Sequence, residues 1–338
     1  MKAGSLVALA AVAVGNPIVS VEDYVNNIDK RASISSQDFS NIKFYSQHAG
    51  AAYCNVNNKP GQPIKCGGTS GTCPDVEANK VTTVASFIGG ETGLGGYVAV
   101  DNVRKEIVLG IRGSHNVRNF ITDVAFAFQS CDLVDQCKVH AGFADSFKEI
   151  ETAALNALKT ARSANPNFKL VVTGHSLGGA VATLAAVNFR RAGLPFDAFT
   201  FGSPRVGNDH FANFVSSQPG VMVRVTHDVD PVPRLPPILV GYRHVSPEFF
   251  LANGSATQDN YSIDNVLQCP GIANTNCNGG TGGFNIDAHL HYLGPISACG
   301  HEKLNTKRDE LDVSEEELEQ RLNEWSLNDQ EHVANIKI

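Results

Sequence analysis

Apolar positions along this chain fall into short unbroken runs that alternate with helix-spaced stripes. Leu170, Val171, Val172 and Thr173 form a buried-strand pattern that stops at Gly174, and Ala-rich sequence with helical character begins at Leu177. The same reading predicts helices over 38–53 and 143–161, and strands over 95–100, 106–111, 168–173, 196–201 and 221–226. The first two strands pair around Asp101-Asn102. A Pro-rich loop at 231–237 and a Gly/Asn-rich loop at 274–283 follow. Strands alternating with helices give an α/β fold with a mainly parallel central sheet covered on both faces. Two amphipathic stretches stand apart. Val117, Phe120, Ile121 and Val124 are spaced i, i+3, i+4, i+7, an apolar stripe on a short helix. Leu318, Leu322 and Trp325 share one face of a second helix, opened by the capping-box pattern Ser314-Glu315-Glu316-Glu317.

The chain of 338 residues suffices for one large α/β core. It opens with Lys2 and an apolar run over 6–14 that is too short to span a bilayer and reads as a secretory leader. Asp29-Lys30-Arg31 then reads as a processing point, so residues 1–31 are expected to be leader and short propeptide, 32–306 the body, and 307–338 an acidic helical tail. No other segment has the length and apolarity of a membrane span. Eight cysteines, Cys54, Cys66, Cys73, Cys131, Cys137, Cys269, Cys277 and Cys299, agree with an oxidising, extracellular destination. Three pairs lie close in sequence, which leaves Cys54 and Cys299 for the two ends of the body, although sequence does not fix the connectivity. No C-x₂-C pair supports a zinc site. Asn253-Gly254-Ser255 and Asn260-Tyr261-Ser262 are glycosylation sequons.

The net charge of −7 sits in the tail: residues 309–338 carry ten acidic and two basic side chains. The nearly neutral body offers no field for nucleic acid. For the tail, one reading is a helix that docks on the body. The sharper one is a cleavable or regulatory appendage, following the dibasic Lys307-Arg308, whose apolar face covers an apolar surface.

Gly174-His175-Ser176-Leu177-Gly178 is a G-x-S-x-G pattern between a strand and a helix. Glycine two residues either side of the serine removes a Cβ that would clash in a sharp turn. The following helix N-terminus places positive dipole beside the hydroxyl, where negative charge builds up if Ser176 attacks a carbonyl. A phosphate loop would need Lys after the second glycine, and Gly179 and Ala180 stand there. A nucleophilic serine needs a base and an orienting acid, in the α/β-hydrolase order Ser, Asp or Glu, His. The later histidines are His210, His227, His244, His289, His291, His301 and His332, and the acids with strand context are Asp228 and Asp230. Order alone does not choose among them. The H-x-H pair His289 and His291 would send both rings to one side of a strand, but no third metal ligand is nearby, so no metal is expected; His175 reads as a packed structural residue.

Taken together, IVLGIRGS (107–114), VHAGF (139–143), TGHSLGGA (173–180), FGSPRVGN (201–208), DPVPRLPP (230–237), GYRHVSPEF (241–249) and DAHLHY (287–292) closely resemble the secreted filamentous-fungal lipases of class 3, an α/β-hydrolase family. The resemblance covers nearly the whole body. It implies Ser176 as nucleophile, Asp230 as acid and His289 as base, with Asp228 left as a solvated or loop-capping residue. It implies an oxyanion hole from Ser114 and the backbone N–H of Leu177. It makes Val117, Phe120, Ile121 and Val124 a lid that covers the site in water and opens at an oil surface, with Phe120 where the family often has Trp. An acyl groove lined by Phe143, Pro231, Val232 and Leu235 is expected beside it. The implied function is secreted hydrolysis of triacylglycerols at a lipid–water interface, without cofactor. The alternatives are a phospholipase or feruloyl-type esterase on the same scaffold and, more remotely, a non-catalytic lipid-binding homologue.

Overall fold

A computed structural model describes residues 32–67, 72–114, 117–123, 126–300 and 314–336. The expected leader and propeptide over 1–31, Lys307-Arg308, His301 and the expected lid residue Val124 lie outside the described residues.

Strand β1 (Ala32–Ser33) leads into helix α1 (Ser36–Ala51), whose start is fixed by Ser35: its hydroxyl accepts the Asp38 N–H at 3.0 Å. After the short α2 (Pro74–Ala78), the strands β2 (Thr82–Ile88), β3 (Gly95–Asp101) and β4 (Glu106–Ile111) form an antiparallel meander. Helix α3 (Val117–Asp123) and the hairpin of β5 (Phe128–Ser130) and β6 (Lys138–His140) precede the long α4 (Ala141–Ala164). Then β7 (Lys169–His175), α5 (Leu177–Arg191), β8 (Phe196–Phe201), α6 (Asp209–Ser217) and β9 (Met222–His227) alternate. The chain continues through β10 (Glu248–Leu251), β11 (Val266–Cys269), α7 (Ile286–Leu290) and α8 (Glu315–Ile336).

The main sheet runs β1-β11-β10-β9-β8-β7-β4-β3-β2. Its centre, β4-β7-β8-β9-β10, is parallel, and antiparallel strands extend both edges. The expected α/β-hydrolase architecture is therefore present, with strands the apolar pattern did not flag. β10 is one of these: four buried residues beginning with an acid are too short for a periodic signal. Glu248 is tolerated inside because Arg224, the Thr226 hydroxyl and the Asn278 N–H all donate to it.

The strands are apolar on both faces because helices cover both. In β4, Ile107, Leu109 and Ile111 face the core beneath α4 and α5, whereas Val108 faces the core beneath α1. In β7, Leu170 and Val172 divide from Val171 in the same way. A third, smaller cluster joins Val117 and Ile121 of α3, Val232 and Leu235 of the Pro-rich loop, and Leu318 and Leu322 of α8. Each such aliphatic side chain contributes about 1.5–3 kcal/mol when fully buried. The acidic tail helix thus docks on the body, and its apolar face joins the cluster formed by α3 and the Pro-rich loop.

Four disulfides join Cys54–Cys299, Cys66–Cys73, Cys131–Cys137 and Cys269–Cys277. The first spans 245 residues and ties the end of α1 to the segment after α7. Long loops lose the most unfolded-state entropy when closed, so this bridge carries about 4–5 kcal/mol. Replacing both partners (Cys54→Ala with Cys299→Ala) is expected to lower the thermal midpoint by roughly 10 °C, measured by calorimetry. A change under about 2 °C would show that other contacts already hold the two ends together.

Candidate active site

The parallel centre of the sheet places three loops side by side at the carboxyl ends of β7, β9 and β4. β7 ends at His175, and Ser176 turns the chain directly into α5 with φ 58° and ψ −131°. That left-handed conformation is costly for a residue with a side chain, and surrounding contacts hold it. The Ser176 N–H donates to the Phe201 carbonyl at 2.9 Å. A Cβ on Gly174 would lie 2.2 Å from the Gly178 oxygen, and one on Gly178 would lie 2.3 Å from the Ile111 oxygen. Both glycines are therefore required by close backbone approach, as the motif implies. A Cβ on Gly113 would lie 3.0 Å from the Ser176 Cβ, so the loop that ends in the half-buried Ser114 runs against the serine. Leu177, the other expected oxyanion donor, is the first residue of α5.

Asp230 follows β9 after a turn through Asp228, whose φ is 41°. It is fully buried, and donors surround its carboxylate. The Val232 N–H reaches Oδ1 at 2.9 Å, His289 Nδ1 lies 3.0 and 2.8 Å from Oδ1 and Oδ2, and the Tyr292 hydroxyl donates to Oδ2. Burial, followed by the charge of Asp230, raises the Tyr292 phenol well above its usual range, so it stays a donor. Gly202 leaves space for this contact, since a Cβ there would lie 3.0 Å from both Asp230 Oδ2 and His289 Nδ1.

His289 lies on α7, begun by Asn285, whose side chain accepts the Asp287 N–H. Because a carboxylate only accepts, Nδ1 carries a proton, and in the neutral ring Nε2 presents a lone pair. Two further histidines hold this short helix. His175 Nε2 donates to the His289 carbonyl at 2.8 Å, so its Nδ1 accepts from the Tyr53 hydroxyl at 2.7 Å. His227 Nδ1 donates to the Ala288 carbonyl at 2.8 Å, and its Nε2 accepts from the Tyr261 hydroxyl at 2.7 Å. The rings of His175 and His289 lie 4.4 Å apart, which brings the imidazole beside the serine turn. Among the described residues neither Ser176 Oγ nor His289 Nε2 has a hydrogen-bond partner, and both are buried. The structure thus joins His289 to Asp230 but leaves the Ser176–His289 hydrogen bond unmade, as is common before substrate arrives.

Of the other residues singled out in the sequence, Asp228 is half-buried at its turn and His244 donates to the Pro233 carbonyl through Nε2. The expected alternation of His289 and His291 on a strand is wrong: α7 is helical, and His291 turns away to Asp259 at 2.8 Å. Val117 and Ile121 are buried and Phe120 half-buried, all on α3. Val232 and Leu235 pack under α3, Pro231 is buried at the start of the same loop, and Phe143 belongs to the main core, stacked on Phe120 at 6.2 Å. Tyr53 and Tyr292 carried no signal for these contacts, since each meets its partner only after the sheet assembles.

A family model described as Lipase (class 3) matches residues 108–240. The chain is 50% identical over 333 residues to the secreted mono- and diacylglycerol lipase 1 of Fusarium solani, covering 98% of each chain. It is 36% identical over 272 residues to the secreted mono- and diacylglycerol lipase A of Penicillium camembertii, covering 78% of this chain and 88% of that one. Among solved structures, the mono- and diacylglycerol lipase of Aspergillus oryzae superposes with a TM-score of 0.73 at 34% identity, covering 79% of this chain and all of that one. The Rhizomucor miehei triacylglyceride lipase superposes with a TM-score of 0.67 at 28% identity, covering 79% of this chain and 99% of that one.

Burial lowers the pKa of His48 to about 3 and also holds His175, His227 and His244 below the usual histidine range. Each stays neutral in the fold but binds a proton when the chain unfolds below about pH 6.5. Their contribution is therefore complete above that pH and is lost as pH falls through 6.5 toward each lowered value. The unfolding free energy is expected to fall steadily between pH 7 and pH 4, by up to about 1.4 kcal/mol per histidine per pH unit, and the thermal midpoint with it. A midpoint that stays level over that range would contradict the buried neutral state.

Proposed function

This chain belongs to the class 3 lipase family, and from that premise we propose that it is a secreted serine hydrolase that cleaves acylglycerol esters at a lipid–water interface. The observation that carries the reading is the buried His289–Asp230 pair, with the imidazole in the basic tautomer, beside a serine in a left-handed turn at a helix N-terminus. In this reading Ser176 Oγ attacks the ester carbonyl carbon while His289 Nε2 takes the hydroxyl proton. Asp230 orients the ring through Nδ1 and stabilises the imidazolium, and the Tyr292 and Val232 donors keep the carboxylate in place. The Leu177 N–H and Ser114 receive the oxyanion. His289 returns the proton to the leaving glycerol oxygen. Water, deprotonated by the same nitrogen, then attacks the acyl-enzyme, releasing the fatty acid and restoring the serine.

Lipid action is supported by α3, whose apolar face lies over Val232 and Leu235, the residues that directly follow the acid. Such a face exchanges one apolar partner for another when an oil surface is present. Secretion is supported by the leader-like 6–14 run, by four disulfides, by exposed Asn253 and Asn260 in their sequons, and by the secreted relatives. Among the described residues no helix is long and apolar enough to cross a membrane. Triacylglycerol is the substrate implied by the family resemblance of the sequence motifs. The names of the Fusarium and Penicillium relatives favour a second reading, mono- and diacylglycerols.

Asp230→Asn is expected to lower kcat about 10⁴-fold by stabilising the wrong imidazole tautomer, and Ser114→Ala about 10²–10³-fold. Full turnover of a soluble ester by either variant would remove that residue from the mechanism. Initial rates on emulsified triolein, diolein and monoolein distinguish the two substrate readings. The highest specificity constant on triolein supports the first, and a preference of tenfold or more for the partial glycerides supports the second.

A further inference from the structure

The tail helix α8 contacts the machinery through two kinds of interaction at once. Along its first half, Leu318 and Leu322 share one buried apolar cluster with Val117 and Ile121 of the lid helix and with Val232 and Leu235 beside the acid, and Trp325 packs against that cluster. Leu290, next to His289, and Phe126, just after the lid, join the same cluster, and Trp325 meets Phe126 edge-on at 5.3 Å. Polar groups between Asn323 and Asp329 latch it to the body. The buried Asp329 accepts from Arg205 at 3.0 Å and from the N–H groups of Ile238 and Leu239 at 2.8 and 2.9 Å. Ser326 Oγ accepts from Arg234 at 3.2 Å, and Asn323 Oδ1 accepts from the Gly283 N–H at 3.1 Å. Every inward polar group named here has a partner on the body, as expected of a built seat rather than casual contact.

These contacts have a consequence for the lid. The apolar face of α3 that must meet lipid is the face α8 helps to bury, so the tail and an oil surface compete for the same side chains. We propose that α8 is an autoinhibitory clamp: it holds the lid helix closed over Ser176 and His289, and a lipid surface must displace it to reach the site. The outer face of α8 repels an anionic surface, since Glu316, Glu317, Glu324 and Glu331 are exposed. A clamped enzyme should therefore open more readily on neutral than on anionic lipid. The proposal rests on the lid-gated ester hydrolysis inferred above and adds the element that does the gating.

The test compares the full chain with Leu318→Ser/Leu322→Ser, which weakens the apolar contact but leaves the Asp329 latch, and with a chain ending at Thr306. Each is assayed on a soluble short-chain p-nitrophenyl ester and on tributyrin across its solubility limit. Circular dichroism and thermal melting identify which variants are folded. Losing two buried leucines should shift the closed–open balance by tenfold or more, so the soluble-ester kcat/KM should rise about tenfold. The rate on emulsion should hold, and the jump at the solubility limit should shrink. A purely structural helix predicts the opposite, equal loss on both substrates. If the truncated chain fails to fold, the double serine variant alone decides. A folded variant with the soluble-ester rate and the jump of the full chain overturns the clamp while leaving ester hydrolysis intact. Absence of turnover by all forms, including the full chain, instead overturns the hydrolase reading on which the clamp rests.

Discussion

A carboxylate with no access to water organises this molecule. Asp230 is stable in the interior only because hydrogen-bond donors converge on it from the Pro-rich loop, from α7 and from Tyr292. Meeting that requirement sets the imidazole tautomer of His289, brings the segment after β11 back over the carboxyl ends of β7 and β9, and keeps the Pro-rich loop tight against the sheet. Asn278 extends the arrangement by donating to the carbonyls of Asp228 and Asp230. The strained serine turn would be only a tight connection without this neighbouring pair.

Much of the site was legible because its local pieces have local causes. A strand, a left-handed residue and a helix cannot be joined so abruptly unless glycine stands at 174 and 178, since a Cβ at either would lie 2.2 or 2.3 Å from a backbone oxygen. The choice between Asp228 and Asp230 was different in kind. Both follow β9, and residue order leaves them equal; family resemblance favoured Asp230, and the structure shows it alone buried against His289. The bracing groups were hidden for a related reason. Tyr53 and His175 are 122 residues apart, and no periodicity links them. His227, a base candidate by order, supports α7 instead, since its Nδ1 is committed to a backbone carbonyl.

Short and shared elements account for what the sequence reading lacked. β10 and β11 are four residues each, less than any reliable alternation, and their pairing is set by neighbours in the sheet. The pair His289 and His291 misled because alternation was assumed where a helix forms. The tail shows the converse case: its apolar stripe was plain, but a stripe does not name its partner. Only the fold reveals that this stripe joins α3, through Val117 and Ile121, and the Pro-rich loop, through Val232 and Leu235, in one cluster.

The account stands on Ser176 and His289 acting as one unit. The most direct measurement is a crystal structure of the protein after reaction with a serine-directed alkylphosphonate. The account predicts one phosphonate on Ser176 Oγ, its oxygen facing Leu177 and Ser114, and His289 Nε2 within hydrogen-bond distance of Oγ. An unlabelled Ser176, or an imidazole that stays out of reach while another residue carries the phosphonate, would contradict it.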